Sequence, residues 1–208
     1  MKCRFSLSYR DLEEMAIIRG VRLDHATIAR WVLRFVKLIY CRVRKYKKPV
    51  GSSWRMDETY IKVNGRWMYL YRALDSLGTT IEFLLRKRRD KSAAKAFFKK
   101  AFKNNPIPEK CTIDKSGSNI AALEDANERL KIEDQIEIRT IKYLNNIIEQ
   151  DHRFIKKRTK PMLGFKNFYS AKITLTGIEN IRMIQKGQIE GANDNLSTFE
   201  NFAYLMAA

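Results

Sequence analysis

WRMDETYIKVNGRWMYLYRALD, residues 54–75, holds two runs of strand-forming residues on either side of Asn64-Gly65. Asn-Gly is the pair that most readily adopts the positive-φ turn matching the twist of a two-stranded hairpin. A third run, TTIEFLLRK at 79–87, follows the turn Ser76-Leu77-Gly78, so three strands in a meander are expected. Asp57 interrupts the first run, where an acid is ordinarily disfavoured. Strand side chains alternate between faces, so Asp57 is expected to point away from Glu58, and only one of the two to face a given site. Trp67, Tyr69 and Tyr71 share one face of the second strand and are expected to pack a core.

Beyond the meander the period changes. KSAAKAFFKKAFKN, residues 91–104, places Ala94, Phe97, Phe98 and Ala101 on one helical face, and Pro106 and Pro108 stop it. A short apolar strand, CTI at 111–113, ends at Asp114. A helix over about 118–131, a strand IEIRT at 136–140 and a helix from near Leu144 complete the series. The order βββαβαβα is that of an α/β, ribonuclease H-like fold: a mixed five-stranded sheet with helices.

Toward the N-terminus the chain reads as helical. Leu12, Met15 and Ile18 or Arg19 recur at helical spacing before Gly20, and Asp24 suits the N-cap of a second helix through HATIARWVLRFVKLIYCRVRK. Its expected apolar stripe is Ile28, Trp31 or Val32, Phe35, and Leu38 or Ile39. Two helices joined by a Gly-containing turn form a helix-turn-helix pattern. The basic run 42–48, then Pro49 and Gly51-Ser-Ser, reads as a linker. Three segments are expected: a helix-turn-helix and linker at 1–48, a catalytic domain at 49–188, and a tail at 189–208.

Charge limits the partners. The chain of 208 residues carries 41 Lys and Arg against 23 Asp and Glu, a formal +18. Such an excess repels itself and points to a polyanion, nucleic acid first. Candidate DNA contacts are Arg30, Arg34, Arg42, Arg44 and Lys45 in the N-terminal segment, and His152, Arg153, Lys156, Lys157 and Arg158 near the end of the fold. Three scattered cysteines and two histidines offer neither a disulfide framework nor zinc-ligand spacing. No stretch approaches the ~20 apolar residues of a membrane span, and no signal peptide is visible, so a cytoplasmic protein is expected.

Three carboxylates then stand out: Asp57 inside the first strand, Asp114 at the end of the fourth, and Glu149 on the last helix. Taken singly, each has an ordinary explanation as an ion-pair partner, a helix cap or a solvated acid. Asp75 competes, but Asp-Ser-Leu-Gly is turn chemistry. Jointly, these positions are neighbours in a ribonuclease H-like sheet. Carboxylate oxygens suit Mg²⁺, and two such ions can drive an in-line displacement at phosphorus. Glu149, His152, Arg153 and Lys156 are expected to share one helix face.

MDETYIKVNGRWMYLYRALDS, TIDKS and IKYLNNIIEQDHRFIKKR, with the later MLGFKNFYSAKITLTGIENIRMIQKGQ, resemble the bacterial DDE transposases of insertion-sequence family six. The resemblance runs from about Ser8 to Gln188. Asp57, Asp114 and Glu149 match the family's acids, the last two 35 positions apart, and Lys156 matches the basic residue after the Glu. It implies two Mg²⁺ ions, with Mn²⁺ able to substitute. It further implies recognition of terminal inverted repeats, strand transfer into target DNA by direct 3′-hydroxyl attack, and a homo-oligomer that pairs two ends. Family members carry about one more helix before the position of Ser8, so the copy is expected to be shortened there. Two other readings stay open: a non-catalytic DNA-binding protein, and a structure-specific nuclease using the same acids.

Overall fold

In a computed structural model that describes residues 1–207, the Lys142 side chain excepted, Asn64 and Gly65 hold φ of 48° and 74°. This is the left-handed pair that a tight hairpin turn requires. It joins β1 (Ser53–Val63) to β2 (Arg66–Asp75), and β3 (Thr80–Arg86) pairs antiparallel to β2. The ladder shifts register between Ala73 and Leu74. β4 (Lys110–Thr112) lies parallel to β1, and β5 (Glu137–Arg139) parallel to β4. The sheet order is β3-β2-β1-β4-β5, the mixed five-stranded sheet expected.

Alternation divides the sheet into two faces. Trp54, Met56, Tyr71, Ala73, Cys111 and Ile113 form a buried core with Ala94, Phe97, Phe98 and Ala101 of α3 (Lys91–Asn104) and Leu123 of α4 (Gly117–Asn127). Phe97 stacks on Tyr71 with centroids 5.9 Å apart. Each large side chain buried in this way contributes about 1.5–3 kcal/mol. Asp90 caps α3 by accepting from Ala93 N at 2.8 Å. The aromatic alternation of β2 meets the core fully only at Tyr71. Trp67, at the start of the strand, is 61% exposed and packs edge-on against Tyr60.

The chain divides into two compact units. Met1–Lys48, Val63–Gly65 and Ile155–Ala208 form one, and Pro49–Lys62 with Arg66–Phe154 the other. The sheet, α3, α4 and the start of α5 (Asn146–Thr159) belong to the second.

In the first unit, α1 (Tyr9–Ile18) begins with a reciprocal Ser8–Asp11 capping box, and α2 (His25–Lys45) is capped by Asp24. The buried residues of α2 are Val36 and Val43, whereas Trp31, Phe35 and Leu38 from the expected stripe are exposed. The inward face is thus rotated to the half-buried Ile28, Val32 and Ile39 and these two valines. Two further helices, α6 (Phe168–Gln185) and α7 (Thr198–Ala207), pack in this same unit. The segment expected to be a tail is therefore folded. Lys48 N donates to Gln188 O, Glu190 N to Tyr46 O, and Ile189 is buried.

α6 meets α2 at Gly177. A Cβ there would collide with Cys3 Sγ and lie 2.9 Å from Val36 Cγ2. Gly177→Val is expected to cost about 2 kcal/mol or more, because overpacking outweighs the few tenths gained in helix propensity. Urea denaturation checks this. An unchanged midpoint would mean that the packing relaxes freely.

Candidate active site

The β1–β4 register pairs Ser53 with Lys110, Trp54 with Cys111 and Arg55 with Thr112. Asp57 and Asp114 each lie two places beyond the last pair of this ladder. Asp57, Glu58 and Asp114 each offer a carboxylate oxygen within 4.8 Å of the others, the one such acidic group among the described residues.

Strand alternation predicts Glu58 on the opposite face from Asp57. It joins the group because Asp114 follows the end of β4, where the backbone leaves the sheet and a carboxylate can be reached from either side. Asn119, on α4 and fully buried, donates to Glu58 Oε1 at 3.1 Å and to Asp114 Oδ1 at 3.0 Å. Asp114 Oδ1 also accepts from Ser116 N at 3.2 Å. Arg89, just before α3, bonds Glu58 Oε2 at 3.2 Å and also bonds Asp114 Oδ2. Burial raises the Glu58 carboxyl above its usual range, although Asn119 and Arg89 favour its charged form. Burial works against the Arg89 cation, but Glu58 and Asp114 outweigh it and hold the guanidinium above its ordinary range. Nothing in the sequence singles out Arg89 or Asn119.

On the other face, Arg55 Nε donates to Leu144 O at 2.9 Å and so ties β1 to the segment entering α5. His152 of α5 sits 3.2 Å from Asp57 Oδ2 through Nε2, and 3.2 Å from Arg72 Nη1 through Nδ1. Arg72 Nη2 donates to Asp151 Oδ2 at 2.6 Å. Arg72, Asp151 and His152 are all buried. His152, expected on one helix face with Glu149 and as a DNA contact, thus lies on the buried side of α5. Glu149, Arg153 and Lys156 lie along the outer side of α5, while Ile148, Asp151, His152 and Ile155 point inward.

Glu149 lies in the first turn of α5 and outside the 4.8 Å acidic group. It is one turn from His152, and i,i+3 residues on a helix are neighbours. Asp75 is spent on its turn, accepting from Gly51 N, Leu77 N and Thr79 N at 2.8–3.0 Å.

Of the basic candidates, Arg30, Arg34, Lys45, Lys156 and Lys157 are at the surface, with Arg42 and Arg44 half-buried. Arg30 donates to Thr27 Oγ1 at 2.8 Å. Arg44 lies over the Tyr40 ring, and Arg158 is half-buried and donates to Arg4 O. No helix among the described residues is long and apolar enough to cross a membrane.

A DDE domain model matches residues 51–188, which spans Asp57, Glu58, Asp114 and Glu149. The transposase for insertion sequence-like element IS431mec of Staphylococcus aureus is 42% identical over 183 residues, 88% of this chain and 80% of that one. The chain belongs to the DDE transposases of insertion-sequence family six. The transposase for insertion sequence element IS257 in transposon Tn4003, also of Staphylococcus aureus, matches over the same shares at 42% identity. Among solved structures, the HTLV-2 integrase catalytic core domain in complex with magnesium aligns with a TM-score of 0.52 at 12% identity. That alignment covers 75% of this chain and 99% of that one, and a second form of the same core gives 0.51. The shared fold is the ribonuclease H-like core. This transposase is thus an enzyme of the polynucleotidyl-transferase class that acts on DNA and uses a divalent metal. The donor set suits such an ion, since it is all carboxylate oxygen, the hard ligand that hard divalent cations prefer.

Proposed function

We propose that this transposase cleaves and joins DNA at the ends of an insertion sequence, with Asp57, Asp114 and Glu149 as the metal ligands. The observation that carries the reading is the meeting of Asp57, on β1, with Asp114, just past the end of the parallel strand β4, in a chain of this family. Two Mg²⁺ ions, or Mn²⁺ in their place, would activate a water or 3′-hydroxyl and stabilise the leaving oxygen of an in-line displacement. The protein's own part is positional. β1 and the end of β4 bring two carboxylates together, and α5 brings Glu149 one turn from the His152 that contacts Asp57. The side chains of Arg153, Lys156 and Lys157 offer charge to the phosphate backbone from α5, and Arg30, Arg34, Arg42 and Lys45 offer it from α2. The reading includes terminal inverted repeats and target DNA as substrates, a homo-oligomer that pairs two ends, and a cytoplasmic setting.

Glu58 and Glu149 compete for the third place, and substitution separates them. Glu149→Gln is expected to lower metal-dependent nicking of a terminal-repeat duplex at least about a hundredfold, close to 3 kcal/mol. Glu58→Gln should stay within about tenfold of wild type, because Glu58 is already held by Arg89 and Asn119. The reverse order would make Glu58 the third ligand.

Lys156→Gln with Lys157→Gln should weaken binding of all duplexes alike. It should also reduce the slope of log K against log salt by roughly 0.9 for each phosphate that is no longer neutralised. A slope equal to that of wild type would remove both lysines from the DNA interface.

A further inference from the structure

We infer that His152 is the positioning residue for Asp57, locked by Arg72 into the tautomer that donates from Nε2 to one Asp57 oxygen and leaves the other to the metal. The inference rests on the reading of Asp57 as a metal ligand.

The chemistry of a guanidinium decides the tautomer. Arg72 has no exposed surface, and its nitrogens only donate and stay protonated in proteins. Its Nη1 lies 3.2 Å from His152 Nδ1, so Nδ1 must be the acceptor and carry no proton. The single proton of the neutral ring is then on Nε2, 3.2 Å from Asp57 Oδ2. The contact is therefore an N–H donated to a carboxylate, and it fixes both the plane of the carboxylate and which oxygen is occupied. Arg72 is anchored in turn by Asp151 at 2.6 Å. Asp151 and His152 are adjacent on α5, so one arginine on β2 grips two consecutive residues of the helix. The same turn of helix that sets Asp57 also sets Glu149, three residues earlier. Hydrogen bonds to metal-ligating carboxylates orient them, and their loss typically costs about 10–100-fold in metal affinity or activity.

Two measurements on the full chain test this. The protein has only two histidines, His25 and His152, so ¹⁵N imidazole spectra can be assigned by comparison with His152→Gln. A proton on Nε2 and none on Nδ1 of His152 is the expected result; the opposite tautomer would overturn the inference.

The second measurement is Mn²⁺ binding by calorimetry, without DNA. His152→Ala should weaken it about 10–100-fold. His152→Gln, whose amide N–H can take the place of Nε2–H, should return it to within a fewfold of wild type. A purely structural role would show no such rescue. If Asp57→Asn weakens Mn²⁺ binding but folded His152→Ala and His152→Gln both bind as wild type, the positioning role is wrong while the ligand reading stands. If Asp57→Asn itself binds Mn²⁺ normally, the ligand reading fails and takes this inference with it.

Discussion

Asp57→Asn is expected to lower nicking and strand transfer at least about a thousandfold while leaving the fold and DNA affinity in place. The amide keeps the shape of the carboxylate, and its oxygen still accepts from His152 Nε2, so the hydrogen bond at 3.2 Å survives. What disappears is the negative charge shared with Asp114 and Glu58, which lie within 4.8 Å. A divalent ion held by fewer anionic oxygens is bound and polarised less, and a thousandfold corresponds to about 4 kcal/mol of the barrier. DNA affinity should be nearly unchanged because it comes from cations elsewhere on the chain, and its salt slope should match wild type. Cleavage within tenfold of wild type would remove Asp57 from the chemistry.

Asp151→Ala acts on stability instead. It strips the carboxylate at 2.6 Å from Arg72, a guanidinium with no exposed surface. Breaking a buried ion pair by removing one partner costs about 3–5 kcal/mol, which in a chain of this size lowers Tm by about 6–20 °C. Removing both charges should be far milder. Arg72→Met with Asp151→Leu is expected to recover most of that Tm, because an apolar pair of similar volume avoids the desolvation penalty. The double variant also removes the donor that sets the His152 tautomer, so it should fold and yet bind Mn²⁺ weakly. If Asp151→Ala melted within about 2 °C of wild type, the buried pair would contribute little to the fold.

Much of the sheet is legible in the sequence because its signals are local. Asn64-Gly65 announces a hairpin, and the spacing of Phe97, Phe98 and Ala101 announces the core face of α3. Gly20 and Asp24 announce the end of α1 and the start of α2. The C-terminal helices are not legible in this way. FYSAKITLTGIENIRMIQ mixes β-branched residues with a glycine, a poor helix by propensity. It is held by packing on α2 through Gly177, between residues far apart in sequence. The stretch after Gln188 is hidden for the same reason, since Ile189 and its strand-like pairing with Lys47 have meaning only once both segments are folded.

The site is half visible. Asp57 and Asp114 can be named from strand pattern and strand end. Alternation along β1, however, puts Glu58 on the wrong side of the sheet. It fixes where a Cβ points, not where a longer side chain can reach beyond the end of the neighbouring β4. Arg89 and Asn119 leave no mark, because a loop arginine and a helical asparagine are ordinary until they are seen bridging two acids. His152 reads from the sequence as a candidate DNA contact beside Glu149, and the fold buries it. Positions 149, 152, 153 and 156 do sit close on a helical wheel, but the boundary between exposed and buried runs between them, and only the partner strand decides on which side His152 falls.

The most direct test is anomalous diffraction from crystals of the full chain soaked in Mn²⁺. Manganese density bounded by carboxylate oxygens of Asp57, Asp114 and Glu149 is expected. Manganese seated on Asp57, Glu58 and Asp114 with Glu149 turned away, or density remote from Asp57, would contradict it.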